Sequence, residues 1–353
     1  MEWQKRLELI KQVGEEIIKE NELIELLKSG KKLSAYDGFE PSGRIHIAQG
    51  LLRAINVNKL TKAGIHFKFW VADWFALMNN KLGGDLEKIQ TVGNYFIEVW
   101  KASGMDLKDV EFLWASQNMD QEYWLRVLQI GRLNTVDRIT RCAQIMGRSE
   151  KDKLSAAQIF YPCMQCSDIF ELEVDIAQLG MDQRKVNMLA REVAEKLGLK
   201  KPIAIHHHML MGLTEPKTDL EGQDRAIAMK MSKSNPDSAI FMTDTKEEIE
   251  NKFKKAFCPA KQAKDNPVLE YCRYIIFEKN NEFKIERPEK FGGNATFKSY
   301  EELETAFIEG KVHPMDLKNS AAKYIDGLIA PVRKHFAEDK KAKELLAKVQ
   351  SFF

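Results

Sequence analysis

The hydrophobic positions change period several times along the chain, and those changes outline a fold. In the first thirty residues Leu9-Ile10, Val13, Ile17-Ile18, Ile24 and Leu26-Leu27 recur at helical spacing, which predicts an amphipathic helical lead-in. Leu33-Ser34-Ala35-Tyr36 then reads as a short strand. It runs into Asp37-Gly38-Phe39-Glu40-Pro41-Ser42-Gly43, a turn dense in breakers, and a helical pattern follows over 45–63. Further strands are expected at 65–72, 110–114, 174–179 and 203–210, with helices at 86–102, 121–146, 155–172 and 183–197. Strands alternating with helices predict an α/β fold around a Rossmann-type parallel sheet. Ligands of such sheets bind beyond the carboxyl ends of the strands, so Tyr36 and its turn, Asp73 and the residues after Leu179 share one rim.

From about residue 245 the strand signal fades, and 246–256, 268–277, 300–309 and 317–336 read as helices. The expected organisation is therefore a first domain over 1–240, with a helical insert at about 120–150, and an all-helical second domain over 241–353. The stretch 214–228 is polar, contains Pro216 and Gly222, and reads as a flexible loop. The charged segment 337–348 reads as a helix with a solvated face. A chain of 353 residues has ample length for two such domains.

Composition narrows the function classes only a little. The formal net charge is +2, too near neutral for a protein that coats DNA, yet compatible with local patches that grip a structured RNA. No apolar run is long enough to cross a bilayer and no charged-then-apolar leader is visible, so a cytoplasmic protein without a membrane partner is expected. Five cysteines argue against a disulfide framework. Cys163 and Cys166 form a C-x-x-C, but no second such pair accompanies it. Zinc and redox readings are therefore weaker than burial on the back of a helix, and no metal site is expected.

Three groups of residues carry candidate chemistry. Gly38 and Gly43 allow the backbone to approach a ligand closely, and His46 falls where a helix begins, a combination suited to a triphosphate. In Lys230-Met231-Ser232-Lys233-Ser234 two lysines flank small hydroxyl residues, a spacing that reaches two phosphates. Tyr161, Gln165 and Asp168 stand at i, i+4 and i+7, so they form one polar stripe on a helix otherwise rich in Ile, Phe, Met and Cys, which favours a pocket. The consecutive His206-His207-His208 point to alternating faces of a strand and make a poor chelate; they read as a strand end lining the nucleotide site.

With these residues in hand the sequence resembles the class I aminoacyl-tRNA synthetases. Lys230-Met231-Ser232-Lys233-Ser234 is similar to their second signature, and His46-Ile47-Ala48-Gln49 stands where the first, His-Ile-Gly-His, belongs. Tyr36 to Gly43, Tyr161-Pro162-Cys163-Met164-Gln165, Gly180-Met181-Asp182-Gln183-Arg184-Lys185 and His313-Pro314-Met315-Asp316-Leu317-Lys318-Asn319 resemble the tyrosyl branch of eukaryotic and archaeal type. The resemblance implies a Rossmann-type catalytic domain, a C-terminal anticodon-binding domain, and ATP as substrate with Mg²⁺ accompanying it. It further implies L-tyrosine and tRNA(Tyr) as partners and a homodimer joined through the insert. His46, Lys230 and Lys233 would act on the phosphates. Tyr36 and Asp168 would hold the substrate hydroxyl, and Tyr161, Gln165 and Gln183 its ammonium group. Gly38, Gln49, Gly180, Asp182, Met209, Leu210, Met231 and Ser232 would surround the nucleotide. Arg184 and Lys185 would meet the acceptor stem, and Phe291, His313, Pro314 and Asp316 the anticodon.

The chemistry of the pocket is consistent with that implication. A phenol needs an acceptor and tolerates a donor; a carboxylate and a tyrosine hydroxyl supply both. Phenylalanine would leave each unpaired at a cost of about 1–3 kcal/mol. The family's Gly and second His are replaced by Ala48 and Gln49, and the loop before the second signature is long. These departures keep open a tRNA-binding scaffold that has lost catalysis, and the tryptophanyl branch stands as a second alternative.

Overall fold

The computed structural model describes residues 1–146, 153–216, 229, 231 and 236–353. Among these, six strands form one sheet: β1 (Glu16–Ile18), β2 (Leu33–Phe39), β3 (Ile65–Val71), β4 (Val110–Trp114), β5 (Ile176–Gly180) and β6 (Ile203–His207), in the order β1-β6-β5-β2-β3-β4. From β6 to β4 all neighbours are parallel; β1 alone is antiparallel, pairing Glu16 with His206. The chain builds outward from β2 through β3 and β4, then returns to the other side of β2 with β5. Pairing between β2 and β5 stops at Tyr36, whereas β2 stays on β3 as far as Phe39. The strands part there, which opens a crevice at the point where strand order reverses.

Helices flank the sheet: α1 (Trp3–Lys11), α2 (Glu20–Lys28), α3 (Arg53–Lys62), α4 (Asp73–Met78), α5 (Leu86–Ala102), α6 (Ala115–Asn118), α7 (Gln121–Arg132), α8 (Val136–Thr140), α9 (Ala156–Glu171) and α10 (Arg184–Ala194). Their starts are fixed locally. Asp85 accepts from the Lys88 amide, Asp120 from the Tyr123 amide, and Ser155 forms a reciprocal box with Gln158, satisfying amides the helix leaves open. Beyond residue 240 follow the helices Lys246–Lys255, Pro267–Tyr271, Tyr300–Ile308, Pro314–Glu338 and Lys340–Gln350.

Four expectations are corrected. The lead-in is not wholly helical: Glu16–Ile18 leaves the helical path because β6 offers it a backbone partner. The helix expected over 45–63 begins only with a wide π-type turn at Ala48–Leu52, and His46 precedes it, bridged to Phe241. The insert expected as one helix over 121–146 breaks after Arg132 and restarts where Thr135 caps α8. The second region is not purely helical, since Phe283–Ile285 and Ala295–Phe297 pair as a hairpin.

The stretch after the second signature is stitched to the first. Ile47 donates to the Ile240 carbonyl and Met242 to that of Ile45, both at 2.9 Å. One apolar core runs on from Ile47 and Leu51 to Phe253 and Ile325, and Tyr95 of α5 meets Phe336 at 5.5 Å between ring centres. Among the described residues no helix is long and apolar enough to cross a membrane.

Candidate active site

The crevice is a cleft of about 580 Å³. It brings together Tyr36, Gly38, His46, Gln49, Tyr161, Gln165, Asp168, Gly180, Asp182, Gln183, Met209, Leu210 and Met231. Lys230, Ser232 and Lys233 lie outside the described residues. The remaining candidates stand apart from the cleft. Arg184 pairs with Glu16 at 2.8 Å, Phe291 is exposed, and His313 caps the helix Pro314–Glu338 by accepting from the Met315 amide. Asp316 lies 3.5 Å from Arg287.

One end of the cleft is built by α9. Tyr161, Gln165 and Asp168 face the interior on one stripe, while Cys163 and Cys166 are buried as free thiols. Burial pushes the Asp168 carboxyl well above the usual carboxylate range, against the downward pull of a 2.7 Å hydrogen bond from the Tyr123 hydroxyl. The Tyr36 hydroxyl is wholly buried and has no hydrogen-bond partner among the described residues; burial, then the nearby Asp168 charge, hold its pKa well above the ordinary value. A buried orphan donor beside a carboxyl group is costly unless a ligand pairs with it. Further along, the Tyr161 hydroxyl donates to Glu40 at 2.6 Å and the Gln165 amide donates to Gln183 at 2.9 Å.

Glycines and imidazoles form the opposite end. A Cβ on Gly180 would lie 2.6 Å from Met209 Sδ and 2.7 Å from Asp182 Oδ1, so only glycine leaves this wall open. Beneath it lies a buried charged network. Arg53 reaches Asp37 at 3.3 Å and also bonds Gln178, and burial pushes Asp37 up to about 7 despite the guanidinium beside it.

The three consecutive histidines serve three ends. His206 is fully buried and bridges Glu16 (2.7 Å) and Asn187 (3.0 Å), away from the cleft. His207 and His208 line it. His208 is held between Glu15 (3.3 Å) and Glu270 (2.8 Å) and stacks on Tyr274 at 4.1 Å. Burial disfavours its charge, but the two carboxylates outweigh burial and raise its pKa to about 9. The same Glu270 accepts from the Met211 amide at 2.6 Å, so both ends of the Met209-Leu210 segment are tied to one side chain. Among the described residues no group of three or more His, Cys, Asp or Glu stands ready to hold a metal ion.

Sequence reasoning missed Tyr123, Glu40, and the set Asp37, Arg53 and Gln178. Tyr123 had a signal: with Val127 and Ile130 it forms the buried i, i+4, i+7 stripe of α7, where a hydroxyl requires a partner. Arg53 had a weaker one, a cation within the apolar run Leu51 to Val57.

A largely parallel sheet split at its switch point, with His46 and Met231 both lining the crevice, defines the class. The family described as tRNA synthetases class I (W and Y) matches residues 28–329, and the chain belongs to it. Within it the similarity is to the tyrosine enzymes. Tyrosine–tRNA ligase 1, cytoplasmic, of Arabidopsis thaliana is 53% identical over 99% of this chain and 89% of that protein. The tyrosyl-tRNA synthetase of Pyrococcus horikoshii, solved with L-tyrosine, superposes with a TM-score of 0.92 at 42% identity, covering 99% of this chain and 100% of that one. That of Leishmania major, solved with tyrosinol, gives 0.90 at 48% identity; this chain is covered in full but spans 61% of the Leishmania chain.

Proposed function

We propose that the chain is a tyrosine–tRNA ligase: it joins L-tyrosine to ATP, releasing pyrophosphate, and passes the tyrosyl group to the terminal adenosine of tRNA(Tyr). The observation that carries this reading is the buried Tyr36 hydroxyl, which has no partner among the described residues and is set beside Asp168. A phenol between them accepts from one and donates to the other. An indole has a single donor and no use for Tyr36, which disfavours tryptophan.

Tyrosine lies along α9. The ammonium group meets the Tyr161 hydroxyl, whose own proton is committed to Glu40, and the carbonyl ends of Gln165 and Gln183. Its carboxylate is ionised at neutral pH and attacks the α-phosphate without a general base. Acceleration then comes from positioning and from stabilising phosphate charge, work assigned to His46, Lys230 and Lys233. Mg²⁺ arrives with ATP as the counter-ion of its phosphates. Gly38, Gln49, Gly180, Asp182, Met209, Leu210, Met231 and Ser232 hold the nucleotide. Residues 1–240 form the catalytic domain and 241–353 the anticodon-binding domain, whose Phe291, His313, Pro314 and Asp316 read the anticodon while Arg184 and Lys185 meet the acceptor stem. Two copies join through the insert, in support of which Trp124, Leu125, Leu128 and Val136 are exposed apolar side chains within it. The setting is the cytoplasm.

ATP–pyrophosphate exchange with tyrosine, tryptophan and phenylalanine in parallel tests the reading. Exchange with tyrosine alone is expected; exchange with none of the three, in protein that still binds tRNA(Tyr), would establish the scaffold instead.

A further inference from the structure

We propose that His207 is a neutral, single-tautomer hydrogen-bond donor to the adenosine half of ATP, with its orientation set by Arg53 and Gln178. The inference rests on the ligase reading above and deepens it.

His207 Nδ1 lies 3.2 Å from Arg53 Nη1 and 3.0 Å from Gln178 Nε2. A guanidinium can only donate. The Gln178 amide is oriented by the same arginine, because Arg53 Nη2 donates to Gln178 Oε1, which turns the amide nitrogen towards the imidazole. Nδ1 therefore faces two donors and must accept, so the ring proton sits on Nε2. Protonating Nδ1 would set three donors against one another next to a buried cation. Burial, then the Arg53 charge, keep the His207 pKa well below its ordinary value, in line with a ring that stays neutral.

The network is buried. Gln178 is fully buried, Arg53 is 1% exposed, and Asp37 lies 3.3 Å from the guanidinium. The free end of the ring points to the cleft: His207 lines it, and its Nε2 lies 3.5 Å from where a Cβ on Gly180 would stand. Register supports the placement, since Gly180 and His207 are directly paired across β5 and β6. A directional N–H thus emerges at the glycine that lets a ligand approach the backbone. The partner is an acceptor on the nucleoside, either a ribose oxygen or a ring nitrogen of adenine. A cation on the ring would be repelled by Arg53, so the arrangement supplies direction without charge.

The test begins with the wild-type protein. In ¹⁵N spectra of the histidine rings, His207 is expected to be protonated on Nε2 and not to titrate between about pH 5.5 and 8. A proton on Nδ1, or titration within that range, would overturn the proposal whatever the variants do. In tyrosine-dependent pyrophosphate exchange, His207→Ala is expected to raise KM for ATP about 3- to 10-fold while KM for tyrosine stays unchanged. His207→Gln, which places an amide donor near the Nε2 position, is expected to recover most of that loss. An unchanged KM for ATP, or equal rises for both substrates, would refute the assignment. Repeating the comparison with 2′-deoxy-ATP separates the two acceptors: the alanine penalty disappears if the bond is to the 2′-oxygen and persists if it is to the 3′-oxygen or the base. Wild-type protein that exchanges no tyrosine would instead sink the ligase reading, so the two failures are distinct.

Discussion

The two ends of the cleft are made of different material. At the α9 end Asp168, Tyr161 and Gln165 are rooted in that helix and each is held by another side chain, Asp168 by Tyr123, Tyr161 by Glu40 and Gln165 by Gln183, while the Tyr36 hydroxyl of β2 has no partner among the described residues. At the glycine end the wall is backbone and two imidazoles, held from behind by Arg53, Gln178, Glu15 and Glu270. The first end is shaped to reject, since a buried donor and acceptor left unmatched are penalised in full. The second is shaped to admit, since close approach there depends on the absence of a side chain. A small amino acid that differs from its rivals by one hydroxyl calls for the former, whereas a nucleotide shared by many enzymes needs only the latter.

The contrast can be broken first at Asp168. Asp168→Ala should lower kcat/KM for tyrosine by about 10- to 150-fold, equivalent to roughly 1.5–3 kcal/mol, and reduce discrimination against phenylalanine in pyrophosphate exchange. Unchanged discrimination would mean that the hydroxyl is held elsewhere. On the opposite wall, Gly180→Ala should raise KM for ATP about 10-fold or more and leave tyrosine binding, measured by calorimetry, as it was, because the added methyl meets Met209 and Asp182. Equal damage to both ligands would erase the distinction between the walls. Tyr123→Phe is expected to be milder, about a 2- to 10-fold loss in kcat/KM for tyrosine with KM for ATP constant, because it frees one carboxyl oxygen of Asp168 without removing the group.

The folded protein raises His208 from about 6.5 to about 9, so its contribution is complete below pH 6.5 and is lost as pH rises through 9. Its ceiling is on the order of 3 kcal/mol. Urea denaturation across this range should show the decline, and His208→Gln should flatten it; an equally steep decline in the variant would assign the effect to another group.

Much of this was legible in the chain. The alternation of periods gave the sheet, and the i, i+4, i+7 stripe of α9 gave the wall that faces the substrate, because helical spacing is a local property. What escaped depends on distant partners. Ile17-Ile18 fits a helical period, yet the segment pairs as a strand because β6 lies beside it, its Glu16 meeting a histidine 190 residues away. The spacing puts His46 at the start of a helix; its backbone is drawn instead to Phe241. Tyr123 and Arg53 carry only the signal that they sit among apolar residues of their own helices; which partners they take appears when α7 meets α9 and when α3 meets the ends of β2 and β6. The hairpin in the second region was missed because strands of three residues carry too few positions to show alternation.

The short pairing of Glu16–Ile18 covers the outer row of β6. An open row of backbone amides and carbonyls invites any extended chain to add itself, which is how sheets seed aggregation. β1 caps that row with only three residues, too few to offer a template of its own, and Glu16 and Glu15 place charge along it. A chain trimmed to begin at Glu20 would keep every cleft residue yet present β6 bare. Such a chain is expected to self-associate, seen as turbidity or light scattering, while also losing the Glu15 contact that helps hold His208.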